Sequence, residues 1–172
     1  NAGSSTDIKG WFYLLKYEKA DDVTRDAREF STLLNATGRM AKSSLGIGVC
    51  LNDKNMKQKA IEIMDKYRRE IVNALNWFYS NRNNLEHVIE KVGYVIVNAE
   101  DNVKDSIIGT VISIVSKSNL YPDGTILIGM ANTLENDVKL SARFSGFPQV
   151  NLDLRDVMKE IIEKTAGYFG GH

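Results

Sequence analysis

The sequence has little of several features that mark particular classes of protein. It has one cysteine, Cys50, so an internal disulfide is impossible, and with only two histidines it offers poor material for a zinc site. Its most apolar stretch, IIGTVISIV at 107–115, is far shorter than the ~20 residues that span a bilayer. No apolar run near the N-terminus is typical of a signal peptide. These absences predict a soluble, cytoplasmic protein without a metal centre in this sequence.

An excess of charge of one sign is also missing, because 22 basic residues balance 22 acidic ones. Strongly basic domains bind nucleic acid broadly through the phosphate backbone, and the balance argues against binding of that kind. A small pocket that captures one chain end is still compatible with it. The hydrophobic residues, 43% of the sequence, are enough for a buried core in one or two compact units.

The first part of the sequence has mainly helical patterns. GWFYLLKYE at 10–18 is aromatic and apolar and predicts a strand, and the apolar repeat in DDVTRDAREFSTLLNATGRM predicts a helix that stops at Gly38. SSLGIGVCLND predicts a short helix capped by Ser43 or Ser44, with a strand as the alternative. Its two glycines lack the third of a dinucleotide-binding fingerprint. Cys50, in this apolar run, is predicted to be a core residue.

A long helix is predicted next. From Lys54 to Arg82 apolar residues recur at steps of three and four, which is typical of one amphipathic helix. Its basic residues, among them Lys57, are interleaved with acidic ones, which indicates a solvated face and not a nucleic-acid track.

The pattern changes after SNRNN at 80–84. HVIEK, YVIVNA, TILIGMA and VKLSARF predict strands, whereas DSIIGTVISIVSKS and LRDVMKEIIEKTAG predict helices. The order β-β-α-β-β-α predicts a small mixed sheet with its helices on one face. The expected fold is therefore α/β with α+β character. It has a small helical N-terminal unit over 1–53, a long connecting helix over 54–82 and a sheet domain over 83–172.

The stretch LSARFSG carries the first candidate site. Ser141, Arg143 and Ser145 occupy alternate positions, so a strand would direct all three side chains to one face. A guanidinium group offers a bidentate fork and each serine a donor, which suits a phosphate. The same residues fit the solvated outer face of an antiparallel sheet equally well.

Two further stretches contain candidate residues. In the final GYFGGH, Gly170 and Gly171 allow consecutive backbone N–H groups to form an anion-binding nest, and His172 adds a ring donor. A frayed C-terminus is the alternative. In NATGRM at 35–40, Asn35 and Arg39 stand at a predicted helix end, where Arg39 can bond the last carbonyl groups, a structural role.

LLNATGRM, VKLSARFSG and GYFGGH occur in this order, the last after an amphipathic helix. Together they resemble the C-terminal part of the DHH phosphoesterases, above all the archaeal RecJ-like single-strand exonucleases. In that family an Asn-Ala-x-Gly-Arg motif closes the catalytic domain, a long helix follows, and a DHH-associated domain ends in a glycine-rich GGGH-type loop. The resemblance covers the chain from Arg25 to His172.

The resemblance implies a substrate-binding lobe that faces a catalytic lobe and binds a single-stranded DNA or RNA end. It further implies two alternatives, a replisome scaffold that binds a GINS-type protein and a lobe of an enzyme for small nucleotides. By position, contacts to the phosphate and terminal nucleotide are implied for Ser141, Arg143, Gly170, Gly171 and His172, with Asn35 and Arg39 contributing from the other side.

The sequence departs from the family pattern in its metal site. No Asp-His-His triplet occurs, and the chain opens without methionine on NAGSSTD, which is typical of an excised fragment. We therefore expect Mn²⁺ or Mg²⁺ in a catalytic domain of the parent protein, no cofactor in this fragment, and no hydrolysis by the fragment alone. The terminal loop also has only two consecutive glycines, preceded by Tyr168 and Phe169.

Overall fold

The computed structural model describes residues 12–16, 18–20, 22–147, 152–165 and 167–168 of the chain. Within them, five α-helices and one four-stranded mixed sheet confirm the predicted α/β class. The chain forms two compact units, Asn1–Tyr67 and Arg68–His172. No helix in the described part of the chain is long and apolar enough to cross a membrane.

The first unit is helical. It contains a short 3-10 helix (Val23–Arg25), α1 (Ala27–Arg39), α2 (Ser43–Cys50) and the first part of α3 (Lys54–Asn81). The strand predicted over 10–18 is wrong for the residues described there, because Leu14 makes only an isolated bridge with Asp26. Asp26 instead caps α1 and accepts a hydrogen bond from the Arg28 N–H at 2.8 Å.

The predicted glycine stop of α1 is also wrong. The helix continues through Gly38, and the left-handed residue that ends it is Ala41, with φ of 55°. The Lys42 N–H donates to the Thr37 carbonyl at 2.8 Å and the Ala41 N–H to the Gly38 carbonyl at 3.2 Å. A glycine usually occupies this position in such an ending. Gly38 is thus the second-last residue of the helix and does not itself end it, and one helical glycine costs only about 1 kcal/mol.

The helix predicted for the LGIGVC stretch is confirmed as α2, but no serine caps it, since its N-cap residue is Lys42 without a side-chain hydrogen bond. Its glycines are packing positions. A Cβ on Gly46 would lie 2.6 Å from the Thr37 hydroxyl oxygen, and one on Gly48 would overlap Met56. The glycines therefore let α2 lie close against its two neighbouring helices in this unit. Cys50, predicted to be buried, is exposed.

The long helix is confirmed as α3, which begins and ends within one residue of the prediction. Asp53 fixes its start, because one carboxylate oxygen accepts hydrogen bonds from the backbone N–H groups of Asn55 and Met56, both at 2.9 Å. The division between the two compact units falls inside this helix, at Tyr67.

The second unit contains the sheet and confirms the predicted element order. Its elements after α3 are β1 (Val88–Lys91), β2 (Tyr94–Asn98), α4 (Asp105–Ser116), β3 (Ile126–Asn132), β4 (Val138–Phe144) and α5 (Leu154–Thr165). The strand order is β1-β2-β3-β4, with β2 and β3 parallel and the outer pairs antiparallel.

One face of the sheet packs against α4. A Cβ on Gly129 of β3 would overlap the Ile112 side chain and lie 3.0 Å from Ile108, so the helix comes closest at this glycine. The core between helix and sheet consists of aliphatic side chains that are at most 2% exposed: Val88, Val95, Val97, Ile107, Ile108, Val111, Ile112, Val115, Leu127 and Ala131. This packing decides which side of β4 lies beside a helix.

Candidate functional site

The β3–β4 register places Ser141 and Arg143 on the same face of the sheet. Ser141 lies opposite Gly129 and Arg143 opposite Leu127. Directly opposed residues of neighbouring strands share a face, and both β3 residues are buried on the side of α4. Ser141 and Arg143 therefore point to the face on which α4 packs, where Ser141 is half-buried and Arg143 is exposed.

Ser141 lies directly beside α4. Its side chain is half-buried, and a Cβ on Gly109 of the helix would lie 3.1 Å from the Ser141 hydroxyl oxygen. That separation is tighter than most Cβ contacts, so the missing side chain of Gly109 is what leaves room for the hydroxyl. Gly109 is a residue of the site that the sequence pattern did not single out.

Arg143 is exposed at the same face. One of its guanidinium nitrogens, Nη1, donates to the backbone carbonyl of Ala142 at 2.6 Å. Within the described part of the chain, no carboxylate forms an ion pair with Arg143. Its positive charge is therefore available to an anion, and a guanidinium fork binds phosphate well.

Ser145, the third residue of the alternating set, is 1% exposed and follows the end of β4. Its hydroxyl donates to the Tyr121 carbonyl at 2.9 Å, and its N–H donates to the Thr125 carbonyl at 2.8 Å. Both donors of Ser145 are thus engaged inside the protein. Its contact with a phosphate stays a prediction.

A second basic residue, Lys139, belongs to the same face. It lies opposite Ala131 of β3, which is also buried on the α4 side. Its ammonium nitrogen lies 4.0 Å from Asp105 Oδ2 in the first turn of α4, and its side chain is 45% exposed. Lys139, Ser141 and Arg143 thus follow one another along β4. The alternation that singled out Ser141 and Arg143 extends back to Lys139, so this signal was present in the sequence.

The remaining predicted residues lie elsewhere or outside the described part of the chain. Asn35 and Arg39 are exposed on α1 in the first unit, four positions apart and so on one side of the helix. Arg39 was predicted to bond the last carbonyl groups of α1. Backbone N–H groups bond carbonyls at this helix end, so they do not require the Arg39 side chain. The glycine–histidine loop, Gly170, Gly171 and His172, lies outside the described residues.

A cluster of three side chains in the second unit was missed. Arg82, just after α3, donates to Glu90 of β1 through Nε at 2.8 Å and Nη2 at 3.0 Å, and the Tyr121 hydroxyl donates to the same carboxylate at 2.7 Å. The hydrogen bonds from Arg82 lower the pKa of Glu90, despite its partial burial. Burial and the bond to Glu90 raise the pKa of Tyr121, so the phenol stays protonated.

This cluster joins three segments that are distant in sequence, and no spacing rule marks it beforehand. Glu90 and Tyr121 also line a cavity of about 720 Å³ together with the β1–β2 turn at Gly93 and the loop at Asp123. Since the carboxylate is satisfied by two donors and the phenol is bonded to it, the cluster holds the loop before β3 in place.

The solvated-face interpretation is wrong for Lys57. Its ammonium group is hydrogen-bonded to Glu18 and, at 2.6 Å, to Asp22, and its side chain is only 15% exposed. Although burial acts in the opposite direction, hydrogen bonds from Lys57 and Thr24 lower the pKa of Asp22 to about 2. Lys57 therefore ties the segment before α1 to α3 within the first unit.

In the residues that the structure describes, no group of three or more His, Cys, Asp or Glu side chains is placed to hold a metal ion. The Mn²⁺ or Mg²⁺ that the resemblance implies belongs to a catalytic domain of the parent protein and stays a prediction. No protein-family model matches the chain, and no curated protein matches it.

Proposed function

We propose that the chain binds the phosphorylated end of a single-stranded nucleic acid, as the substrate-binding lobe of a RecJ-like DHH phosphoesterase in the cytoplasm. The observation that carries the proposal is the charge of Arg143, which has no carboxylate partner among the described residues and shares its face with the Ser141 hydroxyl. The order of the three motifs along the sequence supports the family.

The chemistry follows from these two side chains. A terminal phosphate accepts two parallel hydrogen bonds from the Arg143 guanidinium. To make them, the guanidinium gives up its hydrogen bond to the Ala142 carbonyl in exchange for charge-assisted bonds to the phosphate. The Ser141 hydroxyl, held beside Gly109, adds a donor. Neither residue activates water, so this lobe binds and orients the end while hydrolysis depends on metal ligands elsewhere in the parent protein.

The test is a titration of a 5′-phosphorylated single-stranded oligonucleotide into wild type and Arg143→Ala. We expect a loss of about 1.5–3 kcal/mol in binding free energy, or roughly 10- to 150-fold in Kd, as for one charge-assisted contact. Arg143→Lys keeps the positive charge but lacks the bidentate fork, so it should retain only part of the wild-type affinity.

The matched control is Arg69→Ala, since Arg69 is exposed on α3 in the same unit, and it should bind like wild type. Equal affinities for wild type and Arg143→Ala would show that the phosphate is bound elsewhere or not at all.

A further inference from the structure

The face that carries Arg143 has a second cation at a fixed distance. Lys139 precedes Arg143 by four strand positions, which corresponds to about 13 Å along β4. Ser141 lies between them, against Gly109 of α4. The three side chains form a single row along one face of β4.

The two charged groups of this row are held apart. The Lys139 ammonium lies near Asp105 at the start of α4, whereas the Arg143 guanidinium bends back to the Ala142 carbonyl of its own strand. Side chains in these positions do not converge on one phosphate. A phosphate bound by Arg143 and Ser141 leaves Lys139 available for another one.

We propose that Lys139 binds a second phosphate of the same strand, so that the site selects oligonucleotides over mononucleotides, an inference that rests on the proposed function. It deepens that function by giving the substrate a minimum length. A strand whose end lies at Arg143 runs along β4 and brings an internal phosphate to Lys139.

Asp105 modulates this second contact. Its carboxylate is 4.0 Å from the Lys139 ammonium, and the two side chains are 40% and 45% exposed. An exposed ion pair of this length contributes little to stability, so a phosphate can replace the carboxylate as the partner of Lys139. The carboxylate then repels the phosphate, and its removal should strengthen binding.

The experiment measures Kd for a 5′-phosphorylated mononucleotide and a 5′-phosphorylated trinucleotide with each variant. Arg143→Ala should weaken binding of both probes, whereas Lys139→Ala should raise the Kd of the trinucleotide several-fold and leave that of the mononucleotide unchanged. Asp105→Asn should strengthen the trinucleotide alone. In Lys139→Ala the slope of log K against log salt for the trinucleotide should fall by about 0.7, the value for one phosphate of a single strand.

The matched control is Lys91→Ala. Lys91 is an exposed lysine of the same sheet, but its register partners, Tyr94, Ile126 and Phe144 in turn, put it on the opposite face. It should affect neither probe. Thermal unfolding of each variant confirms that the fold is retained.

The outcomes separate the two proposals. Wild-type affinity in Arg143→Ala overturns the proposed function, and this inference with it. If Arg143→Ala weakens both probes and Lys139→Ala weakens neither, the proposed function stands and the second phosphate contact is overturned. If Lys139→Ala weakens the mononucleotide as much as the trinucleotide, the two cations share one phosphate and the length selection is overturned.

Discussion

The hydroxyl oxygen of Ser141 lies 3.1 Å from the position that a Cβ on Gly109 would occupy. A glycine inside a helix costs roughly 0.5–1 kcal/mol relative to alanine, so its presence at this point needs a packing reason. The Ser141 side chain supplies that reason, because it fills the space that a larger residue would take. This relationship leads to the first prediction.

Gly109→Ala should weaken binding of the phosphorylated end several-fold, because the new methyl group displaces the Ser141 hydroxyl. Stability should change little, since the gain in helix propensity offsets the tight contact. In Ser141→Ala the neighbouring Cβ is 3.7 Å away, an ordinary contact, so adding Gly109→Ala to that variant should change affinity no further. Additive losses in the double variant would mean that Gly109 acts independently of Ser141.

The end of α1 gives a prediction on stability. Ala41 adopts a left-handed backbone conformation that favours glycine, while Gly38 occupies a helical position with open space around its Cα. Ala41→Gly and Gly38→Ala should therefore each stabilise the protein by about 0.5–1 kcal/mol. Chemical denaturation measures both. Destabilisation by Ala41→Gly would show that the helix does not end as described.

Acid should weaken the first unit through Asp22. Its folded pKa of about 2 lies below the ordinary 3.8, so the carboxylate stabilises the fold above about pH 4, and that contribution is lost as the pH falls towards 2. Asp22→Asn lacks this contribution from the start. The difference in free energy of unfolding between wild type and Asp22→Asn should therefore shrink between pH 4 and 2, because the wild-type value falls. The partner Lys57 has a raised pKa, and its contribution is lost only at alkaline pH. A constant difference across the acid range would contradict the assignment.

Loss of the Glu90 carboxylate should destabilise the second unit. Glu90→Ala leaves both Arg82 and the Tyr121 hydroxyl without their partner, and we expect a loss of about 1–3 kcal/mol in denaturant unfolding. Tyr121→Phe removes one bond and should cost about 1 kcal/mol. Glu163→Ala, on the exposed surface of α5, is the control and should stay within about 0.5 kcal/mol. Equal effects of Glu90→Ala and the control would refute the role of the cluster.

The chain with Mn²⁺ should leave a labelled single-stranded oligonucleotide intact. The reason is chemical, because a phosphodiesterase of the proposed family needs a metal-activated water and this sequence has no Asp-His-His triplet. Gel analysis of the label over time measures it. Progressive shortening of the oligonucleotide would contradict the proposed division between this lobe and the catalytic part.

Local pattern predicted most of the second unit, since two-residue alternation and helical repeats depend on neighbours in sequence. The shared side of Ser141 and Arg143 follows from the same alternation. The face of the sheet that α4 packs against does not follow from alternation. It depends on the register of β4 with Gly129 and on the close approach of Gly109. Only tertiary structure brings these glycines to the strand.

Two predictions failed because local pattern does not contain the feature that decided them. Lys57 resembles any charged residue of an amphipathic helix until Glu18 and Asp22 are brought to it from a segment 35 or more positions away. Gly38 has a low helix propensity, yet it lies inside α1 as the second-last residue, and the left-handed residue that follows the helix is Ala41. The local pattern marks neither the partners of Lys57 nor the conformation of Ala41.

The exposure of Cys50 at the end of α2 has a practical consequence for work with this protein in solution. It is the sole thiol of the sequence, so a maleimide dye attaches to each molecule at one known place in the first unit. The same accessibility allows two molecules to join through an S–S bond during storage in air. A reductant or Cys50→Ser therefore belongs in every sizing experiment, because covalent pairs formed this way would be mistaken for assembly.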